Sequence, residues 1–309
     1  MQPVLAVNQM TKKIGNDPII RSVSFNIERG AVFGLIGENG AGKTTTLGMI
    51  CGLIKPTSGS IYIDGIPVGS SRKQVLRHVG ALIEEPQFYK YLTGMEHLLY
   101  GSRLYGKVTN ERLDEVLSLL KMKNFIHKKV GHYSMGMKKR LAIAQCLLHR
   151  PSLLILDEPT NGLDPGAMIE FREIVQSVTT NFQISVLISS HHLKEIEPIC
   201  DQFGLLQDGE LTLLGSKNSR SADNNSDSVV FVIEAKEFDK AHALLQQQSY
   251  IFEPKLYHQD KIMFKMDRSH YSSLLMLLSQ VGVQSIKEKS FDLEEAYLEL
   301  TRDDEWGGS

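Results

Sequence analysis

The run Gly37-Glu38-Asn39-Gly40-Ala41-Gly42-Lys43-Thr44-Thr45 holds residue types suited to chemistry on a phosphate chain, at the spacing G-x-x-x-x-G-K-[ST]. Its glycines let backbone N–H groups turn inward and approach phosphate oxygens that a Cβ would hold off. A helix starting near Lys43 adds the positive end of its dipole. Lys43 is then placed to reach the β- and γ-phosphates, and the Thr44 hydroxyl to ligate Mg²⁺. A second group lies far downstream, where Leu153-Leu154-Ile155-Leu156 runs apolar into Asp157-Glu158-Pro159. Alone, that acidic pair would be a solvated turn. Beside a phosphate loop it supplies what the loop lacks, because Mg²⁺ needs a second protein oxygen and an attacking water needs a base. Asp157 is expected to hold Mg²⁺ through water, and Glu158 to polarise the nucleophile. The first conclusion is nucleotide binding.

These groups need a frame. The first two-thirds of the chain alternate short apolar runs with helical patterns, which predicts a parallel α/β sheet. Strands are expected at 31–36, 152–156 and 184–188, each apolar along its length as in strands covered on both faces. Leu113, Val116, Leu117 and Leu120 recur at helical spacing, with Thr109 or Asn110 as N-cap. At 216–228 the chain turns to Ser, Asn and Asp and reads as a linker. Beyond it, strands at 229–233 and 261–266 alternate with helices at 238–245 and through Leu274, Leu275, Leu277 and Leu278. The expected organisation is a nucleotide-binding domain at 1–215 with a helical region at about 86–150, the linker, and a small C-terminal α+β domain at 229–302.

Composition excludes several classes of function. With 34 basic and 36 acidic residues the net charge is −2, unlike chains that hold nucleic acid by bulk electrostatics. The three cysteines, Cys51, Cys146 and Cys200, lie far apart and form no CxxC pair, so neither a disulfide framework nor a zinc site is expected. No apolar run approaches the length of about 18 residues that a membrane-crossing helix needs. The N-terminus also lacks a basic stretch followed by an apolar one. A soluble, intracellular chain is expected.

Between the phosphate loop and the acidic strand stands Tyr133-Ser134-Met135-Gly136-Met137-Lys138-Lys139-Arg140. By itself it is a helix start capped by Ser134. Its order among the phosphate loop, the acidic strand, Asn161-Gly162-Leu163-Asp164 and Ser189-Ser190-His191 resembles that of the ATP-binding-cassette (ABC) ATPases, across residues 4–213. The resemblance implies an ATP-hydrolysing enzyme with the cassette type of P-loop NTPase fold and a helical subdomain. It also implies a head-to-tail homodimer with ATP between the subunits. Ser134 and the Gly136 backbone would contact the γ-phosphate held by the partner, helped by the helix dipole. The loop at Asp164 would lie at the dimer interface. His191 would contact the γ-phosphate and help hold the water, leaving His192 to solvent. Lys138, Lys139 and Arg140 are expected to form a solvated helix face.

The chain departs from the family pattern at several positions. Met135 and Met137 stand where the family has a glycine and a glutamine. Ile14 stands where most cassettes stack an aromatic ring on adenine, and Glu84 where most carry a glutamine, placing a charged oxygen near Mg²⁺. Glu84, the Ser-Met-Gly-Met run and the C-terminal extension resemble cassettes of bacterial exporters that protect against bacitracin and lantibiotic peptides, and the ending at 291–300 resembles that of drug- and peptide-export cassettes. That implies permease subunits on separate chains, docked on residues 86–150, with this chain peripheral on the cytoplasmic face of the cell membrane. Another drug or lipid exporter is the alternative. Soluble cassettes that act on ribosomes usually join two cassettes through a basic linker. The single cassette and Asp/Asn/Ser linker here favour the transporter.

Overall fold

The computed structural model describes residues 2–69, 72–104, 106, 108–216, 228–235, 238–256, 261–279 and 281–289. The expected linker, apart from its first and last residues, and the ending at 291–300 lie outside them. The chain divides into two compact units, Met1–Ser216 and Lys217–Ser309.

The first unit begins with β1 (Leu5–Ile14) and β2 (Asp17–Ile27), followed by β3 (Val32–Ile36) and helix α1 (Lys43–Ile50). Next come β4 (Ser58–Ile63), β5 (Ile66–Pro67), α2 (Arg72–Val75) and β6 (Val79–Leu82). A helical region follows, with α3 (Gly94–Ser102), α4 (Asn110–Leu119), a 3₁₀ turn at Val130–His132 and α5 (Met135–Leu147). The unit closes with β7 (Leu153–Leu156), α6 (Pro165–Phe182), β8 (Ser185–Ser190), α7 (Leu193–Ile196), β9 (Gln202–Gln207) and β10 (Glu210–Ser216).

The main sheet has the order β10-β9-β3-β8-β7-β6. Its strands run parallel except for β10 at the edge. This is the parallel α/β core that the apolar runs predicted, and β3, β7 and β8 are buried along their whole length. Their C-terminal ends lie side by side, where ligands bind in open α/β sheets.

A second sheet, β2-β1-β4-β5, is antiparallel and leaves no clear period in the sequence. Its signal is broken by bulges. Register shifts fall between Val7 and Met10 on the β2 side and between Asn8 and Thr11 on the β4 side, and Gln9 sits at φ 47°. Each bulge resets the inward–outward alternation, so no clean period of two survives in the sequence. Between the two sheets lies one core, in which Leu5, Met10 and Ile61 pack with Phe33, Leu47 and Ile155. Phe25 of β2 stacks on Phe33 of β3 at 4.8 Å between ring centroids, joining the layers. Fully burying a side chain of this size contributes about 1.5–3 kcal/mol.

The helices start where capping chemistry sets them. Thr93 and Glu96 form a reciprocal capping box on α3, and Thr109 rather than Asn110 caps α4. The second unit runs β11 (Ser228–Ala235), α8 (Phe238–Gln246), β12 (Ile251–Leu256), β13 (Lys261–Asp267), α9 (Tyr271–Leu278) and β14 (Val283–Lys289). Its antiparallel order β12-β13-β11-β14 makes a βαββαβ, ferredoxin-like α+β unit. The two strands that the sequence did not announce, β12 and β14, are its edges. One contains Pro254 and the other carries polar residues at most positions, as edge strands tolerate.

Candidate nucleotide site

The phosphate loop joins β3 to α1, and its glycines are sterically required. A Cβ on Gly37 would lie 2.4 Å from the Leu206 carbonyl oxygen. Gly42, the N-cap of α1, has φ 100°, a conformation open to glycine, and a Cβ there would lie 2.6 Å from Ile20 Cδ1. Lys43 is buried, and its ammonium donates to the carbonyls of Gly37 (2.7 Å) and Glu38 (3.1 Å), so the loop curls around a fixed positive charge.

Strand β7 brings the acidic pair to this loop. The Thr44 hydroxyl donates to Asp157 Oδ2 at 2.8 Å, and the Ser189 hydroxyl donates to Asp157 Oδ1 at 2.5 Å. Ser189 Oγ in turn accepts the Glu158 backbone N–H at 2.9 Å. Ser189 thus fixes both acidic residues from the next strand. Its only sequence cue is its place at the end of β8, one residue before the turn.

Glu158 takes φ 44°, a left-handed conformation uncommon for a residue with a side chain and found disproportionately at functional sites. That turn directs its carboxylate back over the loop. Oε1 lies 3.1 Å from Lys43 Nζ, an ion pair outside hydrogen-bond alignment, and Oε2 is 2.8 Å from His191 Nδ1. Burial pushes the Glu158 carboxyl up. The His191 and Lys43 side chains against it outweigh burial and hold it below the ordinary carboxylate value. Of the two adjacent histidines, His191 makes this contact. His192 is exposed and its ring packs on that of His191.

Glu84 follows β6 in a left-handed turn (φ 70°) and is exposed. It lines a cavity of about 240 Å³ together with Asp157, Glu158, Lys139 and Asn161. The structure therefore gathers Lys43, Thr44, Asp157, Glu158 and His191 into one bonded cluster and sets Glu84 on the adjoining cavity. The Thr44 hydroxyl and Asp157 carboxylate are adjacent hard oxygen donors, a donor set that suits Mg²⁺.

The signature residues belong elsewhere. Exposed Ser134 caps α5 by accepting the Met137 N–H at 3.3 Å, and Asp164 caps α6 by accepting the Ala167 N–H at 2.9 Å. Gly136 packs near Ala167. Among the described residues, no hydrogen bond or ion pair joins Ser134 or Gly136 to the phosphate loop of the same chain.

One expectation is overturned here. Lys138, Lys139 and Arg140 do not form a solvated face: Lys139 is buried, and Arg140 is largely covered and pairs with Glu170. Lys139 Nζ donates to the carbonyl oxygens of Pro159 (2.5 Å) and Asn161. Burial pushes its pKa down, against the pull of Glu85, Glu195 and Glu158. A charge run reads as surface only while the fold around it is unknown; here α5 is covered on that side as well.

A strand, glycine loop and helix with a buried lysine, beside an acidic strand end, define a P-loop nucleoside triphosphatase. The ABC transporter family model matches residues 20–161. The uncharacterized ABC transporter ATP-binding protein YhcH of Bacillus subtilis is 37% identical over 303 residues, covering 97% of each chain. The bacitracin transport ATP-binding protein BcrA of Bacillus licheniformis is 43% identical over 211 residues, covering 68% of this chain and 69% of that one. Among solved structures, cbiO1 of Clostridium perfringens, part of an ABC transporter complex, is 27% identical with a TM-score of 0.66. The match covers 72% of this chain and 92% of that one. A cassette solved as a dimer in a post-hydrolysis state with ADP and Pi is 26% identical, with a TM-score of 0.59, over 67% of this chain and 96% of that one. The chain belongs to the ABC transporter ATPases: it is the ATP-binding, ATP-hydrolysing subunit of a transporter. Among the described residues no helix is long and apolar enough to cross a membrane.

Proposed function

We propose that this chain drives a bacterial exporter that removes a peptide antibiotic of the bacitracin or lantibiotic kind, working as a homodimer on the cytoplasmic face of the membrane beneath separate permease subunits. The observation that carries the catalytic part is the contact of Glu158 with both Lys43 and His191. ATP phosphates lie in the phosphate loop, held by its N–H groups and by Lys43. Glu158, kept ionised by its neighbours, accepts a proton from the attacking water, and His191 orients that carboxylate. Thr44 and Asp157 would hold Mg²⁺, which when bound would supply positive charge against the phosphate chain. Ser134 and the Gly136 N–H complete the site from the partner subunit, a reading supported by the dimeric relative and by their separation from their own loop.

The substrate reading rests on the similarity to BcrA and on Glu84 beside the metal-binding corner. With the substrate path in the permease, docking falls to the helical region at about 86–150. The test is fractionation and survival. Coexpressed with its permease, the chain should sediment with membranes and raise survival on bacitracin or a lantibiotic, and without the permease it should stay in the supernatant. A chain found in the supernatant in both cases would contradict the transporter role. Membrane association without any gain in survival would leave another drug or lipid as cargo.

A further inference from the structure

Lys139 lies inside the first unit with only 6% of its surface exposed. Burying an ammonium is costly unless its donors are satisfied, so its partners show what holds it there. Those partners are the carbonyls of Pro159 and Asn161, on the turn that directly follows Glu158. The turn closes on itself through the Asn161 N–H and the Glu158 carbonyl at 3.3 Å. It begins at the left-handed Glu158 and ends shortly before Asp164, the cap of α6. On one side the Ser189 hydroxyl fixes the Glu158 N–H, and on the other Lys139 fixes the carbonyls.

The opposite end of the same lysine is equally informative. It stands on the first turns of α5, three residues after Gly136 and five after Ser134. Its side chain also borders the cavity shared by Glu84 and Glu158. One side chain therefore ties the helix start that carries the signature to the turn that sets the catalytic carboxylate. We infer that Lys139 is a positioning residue, which holds Glu158 in its left-handed conformation and in register with the N-terminus of α5. Its hydrogen bonds go to backbone carbonyls of the turn. Its effect passes through Glu158, so the inference rests on the base assignment made above.

The experiment is a double-substitution cycle on the full chain, with steady-state and single-turnover ATP hydrolysis as readouts. Lys139→Met keeps the length of the stem and removes all three donors. In the wild-type background kcat should fall by about tenfold or more while the KM for ATP stays within about twofold, because ground-state binding is untouched. In the Glu158→Gln background the same substitution should cost less than about twofold, the mark of two residues acting as one unit. Undiminished kcat in a folded Lys139→Met chain, shown by its melting curve, would overturn the inference. So would an equal loss in both backgrounds, which would leave the assignment of Glu158 standing. Full turnover in Glu158→Gln alone would remove that assignment, and the role of Lys139 with it. If Lys139→Met does not fold, Lys139→Ala, which leaves room for water to satisfy the two carbonyls but not to hold the turn, carries the same cycle.

Discussion

At the ends of β3, β7 and β8 the polar side chains engage one another, Thr44 and Ser189 with Asp157, and Lys43 and His191 with Glu158. At the start of α5, by contrast, exposed Ser134 bonds among the described residues only within its own helix. The first corner is preorganised inside one chain, which favours catalysis because little reorganisation remains at the moment of reaction. The second is a helix N-terminus with an exposed hydroxyl and a partly covered glycine, an arrangement that gains chemistry only when an anion is brought to it. If Ser134 serves a partner's nucleotide as proposed, hydrolysis is conditional on assembly. Lys139 spans the two corners, since it grows from the first turns of α5 and fastens the turn of the closed corner.

The largest expected effect is in the closed corner. Glu158→Gln should slow phosphate release by about a hundredfold or more while nucleotide binding remains, since only the proton acceptor is lost. A pH series sharpens the same point. Because the folded carboxyl lies below its ordinary value, its contribution to stability is present at neutral pH and lost as pH falls through that lowered value. The melting difference between wild type and Glu158→Gln should therefore be greatest near neutrality and shrink in acid. A difference that grows in acid would mean that Glu158 is not held by Lys43 and His191.

The next effect probes the open corner. Asn caps helices about as well as Ser, so Ser134→Asn should leave the melting temperature almost unchanged. Its turnover should nevertheless fall by about tenfold or more, because an anion contact is altered. Equal activity in the two chains would reduce Ser134 to a cap.

The smallest effect lies between the corners. Glu84→Gln should change ATPase activity of the isolated subunit by less than about tenfold, or 1.4 kcal/mol of barrier. Resistance in cells carrying the complete transporter should fall much further, with Glu85→Gln as the neighbouring control. Parallel losses in both assays would make Glu84 a catalytic ligand rather than a coupling element.

Sequence exposed the closed corner because its main parts are local. The glycine loop and the acidic strand end each lie within a few residues, and burial on both faces makes the parallel strands apolar throughout. Ser189 stayed hidden, since its bonds to Asp157 and Glu158 exist only through the pairing of β7 with β8. Lys139 looks solvated in sequence because it stands between two other charges, and only the neighbouring turn covers it. The bulged N-terminal sheet and the edge strands β12 and β14 escaped for a third reason: irregular register or polar, Pro-containing edges erase the alternation by which strands are recognised.

The division of the site is tested most directly by mixing two inactive chains, Glu158→Gln and Ser134→Arg. If Ser134 serves the partner's nucleotide, each mixed dimer holds one doubly damaged site and one intact site. Statistical mixing of a symmetric dimer gives about half mixed species, so turnover should recover to on the order of a tenth to a quarter of wild type. If the mixture stays at the level of the separate variants, Ser134 acts within its own chain or not at all, and the division of the site between two subunits is wrong.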